Sequence, residues 1–205
     1  MPPAERRERK TRLKREAILR SAAAAFRRRG YYGTSMEDIS EALLMTKGSL
    51  YYYFTDKEEI LYACHDFSLD RVLAILRRVS AEQARAGAVE KLGALVQGLV
   101  DVIIDELQGS ALTLEFSALR PELLGRIIRK RDEFERGLRA IVAEGVKRGE
   151  FRKQDVKLAV FAMLGAMNWI GRWYRPEGTY TAAGIGRAYA EQFVSGLKSV
   201  RRLRV

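Results

Sequence analysis

The sequence is poor in the residues on which much protein chemistry depends. It has one cysteine, Cys64, and one histidine, His65, in 205 residues. A single cysteine excludes a disulfide framework and reads most simply as a small buried hydrophobe. One His and one Cys leave no basis for a metal cluster unless carboxylates dominate it, and no Glu-x-x-His occurs. Neighbours on a helix point about 100° apart, so Cys64 and His65 make a poor nucleophile–base pair. No glycine-rich phosphate loop is present either. The expectation is therefore no catalysis, no cofactor and no metal. Proline is limited to Pro2, Pro3, Pro121 and Pro176, so long stretches are free of helix breakers. No uninterrupted apolar run is long enough to span a bilayer, and the opening "MPPAERRERKTRLKRE" is charged rather than a secretory h-region. A cytoplasmic protein is expected.

What the sequence does have is positive charge and helical periodicity. Lys and Arg number 37 against 26 Asp and Glu, for a formal charge of +11. Such a chain attracts polyanions, nucleic acid first. The excess is concentrated at the start, where Arg6, Arg7, Arg9, Lys10, Arg12, Lys14 and Arg15 face only Glu5 and Glu8. On composition alone this is either a solubilising tail or a nucleic-acid arm.

The period of 3.6 runs through almost the whole chain. "REAILRSAAAAFRRRG" sets Leu13, Ala17, Ile18, Ala22, Ala25 and Phe26 on one stripe and stops at Gly30. Ser35 and Asp38 have capping-box spacing before a short helix that offers Ile39, Ala42 and Leu43 to a core. After a break at Leu44 and Met45, Thr46 caps "KGSLYYYF", in which Leu50 and Phe54 face inward. Thr55 or Asp56 then caps a long helix with the stripe Ile60, Leu61, Cys64, Phe67, Val72, Leu76 and Val79. Further helices are expected at 92–107, around 112–119, 124–148, 153–174 and 180–198. The sum is an all-α protein of about nine helices, with a three-helix head and a C-terminal bundle.

Two short helices joined by a tight break form a helix-turn-helix, although a generic three-helix bundle shows the same periodicity. The basic excess and the small polar tip of the third helix favour the former. Residues at the start of a helix in the major groove reach base edges. Thr46, Lys47 and Ser49 are assigned there, with Gly48 permitting close approach. Thr34, Tyr51, Tyr52 and Lys57 are assigned to phosphates, and Arg6, Arg7, Arg9, Lys10 and Arg12 to a basic arm following the backbone or minor groove. Three consecutive tyrosines cannot share one face, so at least one of Tyr51, Tyr52 and Tyr53 looks outward. The expected division is a DNA-binding domain over 1–55 and a helical bundle over 56–205.

Residues 30–61, "GYYGTSMEDISEALLMTKGSLYYYFTDKEEIL", resemble the signature of the TetR/AcrR family of bacterial transcriptional regulators. The resemblance is carried by Gly30, Thr34, Ile39, Ala42, Lys47, Gly48, Leu50, Tyr51, Phe54, Lys57 and Glu58. The chain departs from the pattern at Leu44, where the family has a glycine suited to positive φ. Either the backbone there stays right-handed or strain is accepted. The resemblance implies a homodimer, a palindromic operator and a repressor released by a small effector, with 56–205 as the effector-binding and dimerisation domain. Residues 167–197, beginning "MNWIGRWYRPEG", are similar to the last two helices of a subgroup that controls fatty-acid, aromatic-acid or sterol degradation and responds to acyl-coenzyme A. That resemblance implies ligand contacts at Trp169, Arg172, Trp173, Tyr174 and Arg175, unless these residues only pack an interface. The dimer interface is expected on the last two helices, at Val160, Leu164, Met167, Ile185, Tyr189 and Phe193. A drug-sensing repressor of an efflux pump, and a basic helical adaptor without sequence-specific DNA binding, remain as alternatives.

Overall fold

The computed structural model describes residues 3–82, 86–105 and 116–198. Leu107 and Leu112, at the ends of two expected helices, lie outside the described residues. Among the described residues are eight α-helices: α1 Pro3–Arg29, α2 Met36–Ala42, α3 Lys47–Tyr51, α4 Lys57–Glu82, α5 Ala88–Ile104, α6 Pro121–Lys147, α7 Val156–Trp173 and α8 Ala182–Leu197. A 3₁₀ turn at Phe116–Ala118 precedes α6. One isolated bridge, Phe151 to Lys198, is the only β-type pairing described. None of the described helices is long and apolar enough to cross a membrane.

Helix boundaries follow local chemistry. α1 is rich in Ala, Arg, Leu and Glu, all good helix formers. It ends where Gly30 takes φ +76° and its N–H reaches the Phe26 carbonyl at 2.9 Å. The helix begins at Pro3, so the basic segment 6–12 is helical rather than an extended arm. Ser35 and Asp38 form a complete capping box: the Ser35 Oγ accepts from the Asp38 N–H at 3.1 Å, and the Asp38 Oδ2 accepts from the Ser35 N–H at 2.8 Å. The hydrogen bonds from Ser35 hold the Asp38 carboxyl below its ordinary range. Their contribution is thus present above that range and lost as pH falls through the lowered value. Asp56, not Thr55, caps α4, accepting from the Glu59 N–H at 2.7 Å. Pro121 opens α6, where its missing N–H costs nothing. Asp155 and Thr181 cap α7 and α8.

The chain partitions into two compact units. One comprises the described residues up to Ser68 together with 116–127; the other runs Leu69–Asp105 and onward from Ile128. In the first, the core is Ile18, Leu19, Ala22, Phe26, Ile39, Leu50, Phe54, Ile60, Leu61 and Cys64. α2 buries Met36, Ile39 and Ser40, whereas Ala42 turns outward, one position from the expected stripe. Leu13 and Ala17 are likewise exposed, and α1 buries Leu19 and Ala23 in their place. In the second unit α5 packs against α7 and α8. α5 buries Leu92, Leu95, Val96 and Leu99, α7 buries Val160, Met163, Met167 and Ile170, and α8 buries Ile185, Ala190, Val194 and Leu197. Gly186 of α8 faces Gln97 of α5, where a Cβ would lie 3.4 Å from the Gln97 Cα, an ordinary contact distance.

The Lys91 ammonium, nearly buried on α5, is held by the Glu144 carboxylate at 3.0 Å. Replacing Glu144 by Gln leaves that ammonium without its counter-charge, and chemical denaturation is expected to show a loss of about 1–3 kcal/mol. Cys64 is fully buried and its thiol is pushed up to about 12 by burial. A thiol-specific reagent at neutral pH is accordingly expected to leave Cys64 unmodified in the native protein and to react only on unfolding. Rapid native modification would contradict the packing of α4 on α1.

Candidate nucleic-acid interface

α3 is only five residues long, and its polar tip is exposed at Thr46, Lys47, Gly48 and Ser49. Thr46 caps it: the Thr46 Oγ1 accepts from the Ser49 N–H at 3.2 Å and lies 2.8 Å from the Ser49 hydroxyl. Leu50 and Phe54 anchor the other side in the core. Tyr51 and Tyr52 point outward, Tyr52 at 74% exposure, while Tyr53 is half-buried with its ring edge-on to Tyr52 at 5.1 Å. The Lys47 ammonium is paired with Glu37 of α2 and lies over the Tyr51 ring at 5.9 Å. That hydrogen bond raises the Lys47 pKa and lowers that of Glu37. Lys47 therefore stays cationic, held at the tip by a pair exposed enough to open at little cost.

Two residues assigned to phosphates have other employment. Thr34 is buried, and its hydroxyl donates to the Gly30 carbonyl at 2.9 Å. The Lys57 ammonium donates to the carbonyls of Tyr31 and Thr34 at 2.8 and 2.7 Å and sits 4.3 Å from the centre of the Tyr31 ring. Both therefore build the turn between α1 and α2. The Tyr31 carbonyl also accepts from the Thr34 N–H at 3.3 Å, and the lysine beneath the turn adds a bond to each of the two carbonyls and a cation–π contact at once. Burial raises the Tyr31 pKa, with Glu58 and Asp56 adding to the effect.

Sequence reasoning missed two residues. Arg15 donates to the Tyr53 carbonyl at 2.7 Å and stacks 4.2 Å over Phe54, tying α1 to the end of α3. It had been grouped with the surface cations, and no local pattern separates it from them. Tyr32 is 81% exposed beside Tyr31 on the same side of the chain's turn. Its signal was its place next to a second tyrosine: two adjacent rings cannot both enter one pocket. In the basic segment Arg6, Arg7, Arg9, Lys10 and Arg12 are all exposed.

The residues expected at an interface between copies divide. Val160 and Met167 of α7 and Ile185 of α8 are buried within the chain, where both helices pack against α5; Leu164, Tyr189 and Phe193 are half-buried. The apolar side chains that α7 leaves exposed are Leu158, Phe161 and Trp169, on the opposite stripe. Of the residues assigned to a ligand, Trp169, Arg172 and Arg175 are exposed, and Trp173 and Tyr174 are half-buried. The Arg175 guanidinium donates to the carbonyls of Arg172 and Tyr174, at 3.3 and 2.9 Å, closing the C-terminus of α7.

These placements separate holding from contacting. Lys57→Ala is expected to lower thermal stability, by removing both donors beneath the turn. Lys47→Ala is expected to leave stability unchanged, since it loses only an exposed pair. Parallel melting curves check this, and equal melting temperatures for the two variants would overturn the division.

Known proteins resemble the chain in both parts. A family model described as "Bacterial regulatory proteins, tetR family" matches residues 18–64, and one described as "Tetracyclin repressor-like, C-terminal domain" matches residues 85–197. The HTH-type transcriptional repressor KstR2 of Rhodococcus jostii is 30% identical over 192 residues, spanning 91% of this chain and 92% of that protein. The structure of the ketosteroid transcriptional regulator KstR2 of Mycobacterium tuberculosis has a TM-score of 0.83 at 27% identity, covering 91% of this chain and 96% of that one. AibR in complex with isovaleryl coenzyme A and operator DNA has a TM-score of 0.76 at 28% identity, covering 90% of this chain and 97% of that one.

Proposed function

The chain belongs to the TetR family of bacterial regulatory proteins, and from that premise we propose a dimeric repressor that binds a palindromic operator and releases it to an acyl-coenzyme A thioester. The observation that carries the DNA reading is the tip of α3. Small polar and cationic groups at residues 46–49 are exposed on a helix whose far side is anchored by Leu50 and Phe54. A helix enters the major groove in this manner, with its first residues at the base edges.

Thr46, Lys47 and Ser49 read bases in this account, and Lys47 exchanges Glu37 for a base acceptor. Tyr51, Tyr52 and the missed Tyr32 meet phosphates. The exposed cations of residues 6–12 supply salt-dependent affinity from a helix rather than from an extended arm. Residues 1–55 do the binding, and 56–205 dimerise and hold the effector. Two heads are needed because one covers too few bases, and their half-sites then lie about 34–36 Å apart. The face we assign to the partner copy is Leu158, Phe161 and Trp169, the apolar stripe that α7 does not bury.

The effector class rests on similarity to proteins such as AibR, which was crystallised with isovaleryl coenzyme A and operator DNA. The chemistry of this chain is compatible with it. Arg172 and Arg175 are exposed cations beside the half-buried rings of Trp173 and Tyr174, a pairing suited to phosphates next to an apolar group. Release requires the thioester to bind the DNA-incompetent arrangement more tightly, since equal affinity shifts nothing.

The test begins with selection of bound duplexes from random DNA, which is expected to return an inverted repeat. Acyl-coenzyme A esters, free acids and cationic drugs are then added to the preformed complex. Release by a thioester is expected. Release by drugs alone would favour an efflux-pump repressor, and failure to enrich any sequence would overturn the operator reading. Trp169→Glu is expected to shift the protein toward monomer in sedimentation at micromolar concentration. A dimer as stable as wild type would remove α7's exposed stripe from the interface.

A further inference from the structure

Leu44 is unfavourably placed twice over. Its φ is +51°, a left-handed conformation that suits glycine and strains a side chain with a Cβ. Its side chain is 97% exposed. The backbone gains nothing unusual in return: the Leu44 N–H donates to the Glu41 carbonyl at 3.0 Å, a bond that glycine would make equally well. Inside the free protein, glycine would remove both costs.

The surroundings of Leu44 suggest where those costs are offset. With Lys14, Thr46, Gly48, Ser49 and Tyr52 it lines an open groove of about 740 Å³ on the reading tip. The polar readers of that tip, Thr46 with Ser49 and Lys47 with Glu37, are held in exposed pairs that open to a base. Much of what the groove leaves to a visitor is apolar: the isobutyl group of Leu44, the bare backbone of Gly48 and the ring of Tyr52. Lys14 puts a cation on its rim, which favours an anionic visitor. A polyanion whose exposed edge also carries an isolated apolar group is DNA, and in the major groove that group is the 5-methyl of thymine.

We propose that Leu44 is a specificity-determining residue, whose side chain contacts the methyl group of one thymine in each half-site. The inference rests on the DNA reading above and adds a chemical preference to it. Where Thr46, Lys47 and Ser49 discriminate by hydrogen bonding, Leu44 discriminates by apolar contact. It prefers thymine over cytosine at one position, and it gives the strained turn a function that glycine could not serve.

The test uses the duplex enriched from random DNA by the full-length wild-type protein. Each thymine is replaced in turn by uracil, which keeps the base-pairing edge and deletes only the methyl. Wild type and Leu44→Gly are titrated on the whole series. Leu44→Asn is titrated as well, because Asn tolerates positive φ while lacking the apolar group. At one position per half-site uracil is expected to weaken wild type by about three- to tenfold, the scale of one buried methyl contact. Both variants are expected to bind thymine and uracil equally at that position. A uracil profile shared by wild type and both variants would overturn the role of Leu44 and leave the operator reading standing. Failure to enrich any duplex would overturn both.

Discussion

A helix of five residues cannot hold itself together. Nucleation costs more than one turn of hydrogen bonds returns, so isolated helices of this length do not persist in water. Everything about the head follows from that constraint on α3. Its first turn is closed by the Thr46 cap. Its inner face is fixed by Leu50 and Phe54. The Tyr53 carbonyl just past its end is reached from α1 by Arg15, which also covers Phe54. The turn that launches α2 toward it is held by Lys57 beneath the Tyr31 and Thr34 carbonyls. Short elements that are rigid only through their neighbours can present side chains to a ligand with little entropy left to lose.

The same constraint divides the basic residues. Arg15 and Lys57 spend their donors on backbone carbonyls inside the protein. Lys47 and the cations of residues 6–12 face outward, and the Lys47 pair with Glu37 is exposed on both sides. Net charge alone does not reveal this division. A chain with a formal charge of +11 carries much of that charge at its surface as a field, while a few cations act as fasteners whose removal changes structure before it changes binding.

What was legible in the sequence was what is local. The Ser35–Asp38 box, the Thr46 cap, the inward pair Leu50 and Phe54, and the stop at Gly30 are set by residues within four positions of each other, and each stands as the spacing predicts. The all-helical class and the family likeness over residues 30–61 were equally readable. What was not legible was direction. Lys57 follows a capping residue at the start of a helix, a position that suits a phosphate contact, but the ring of Tyr31 draws it inward. α7 carries two apolar stripes, one of Val160, Met163, Met167 and Ile170 and another of Leu158, Phe161 and Trp169. Periodicity finds both and cannot say which one α5 covers. Leu44 could be recognised as foreign to a turn, yet only the backbone shows that it accepts φ +51°.

α3 is held in place from outside, by α1 as much as by its own turn. Hydrogen exchange of the free protein in Arg15→Met measures this most directly, because the variant keeps side-chain volume and loses the bond to the Tyr53 carbonyl. Faster exchange is expected at the amides of Leu50, Tyr52, Tyr53 and Phe54, whose backbone bonds close α3 and the turn after it. Amides in the middle of α4 should keep their wild-type protection. Unchanged protection of the α3 amides in Arg15→Met would contradict the claim.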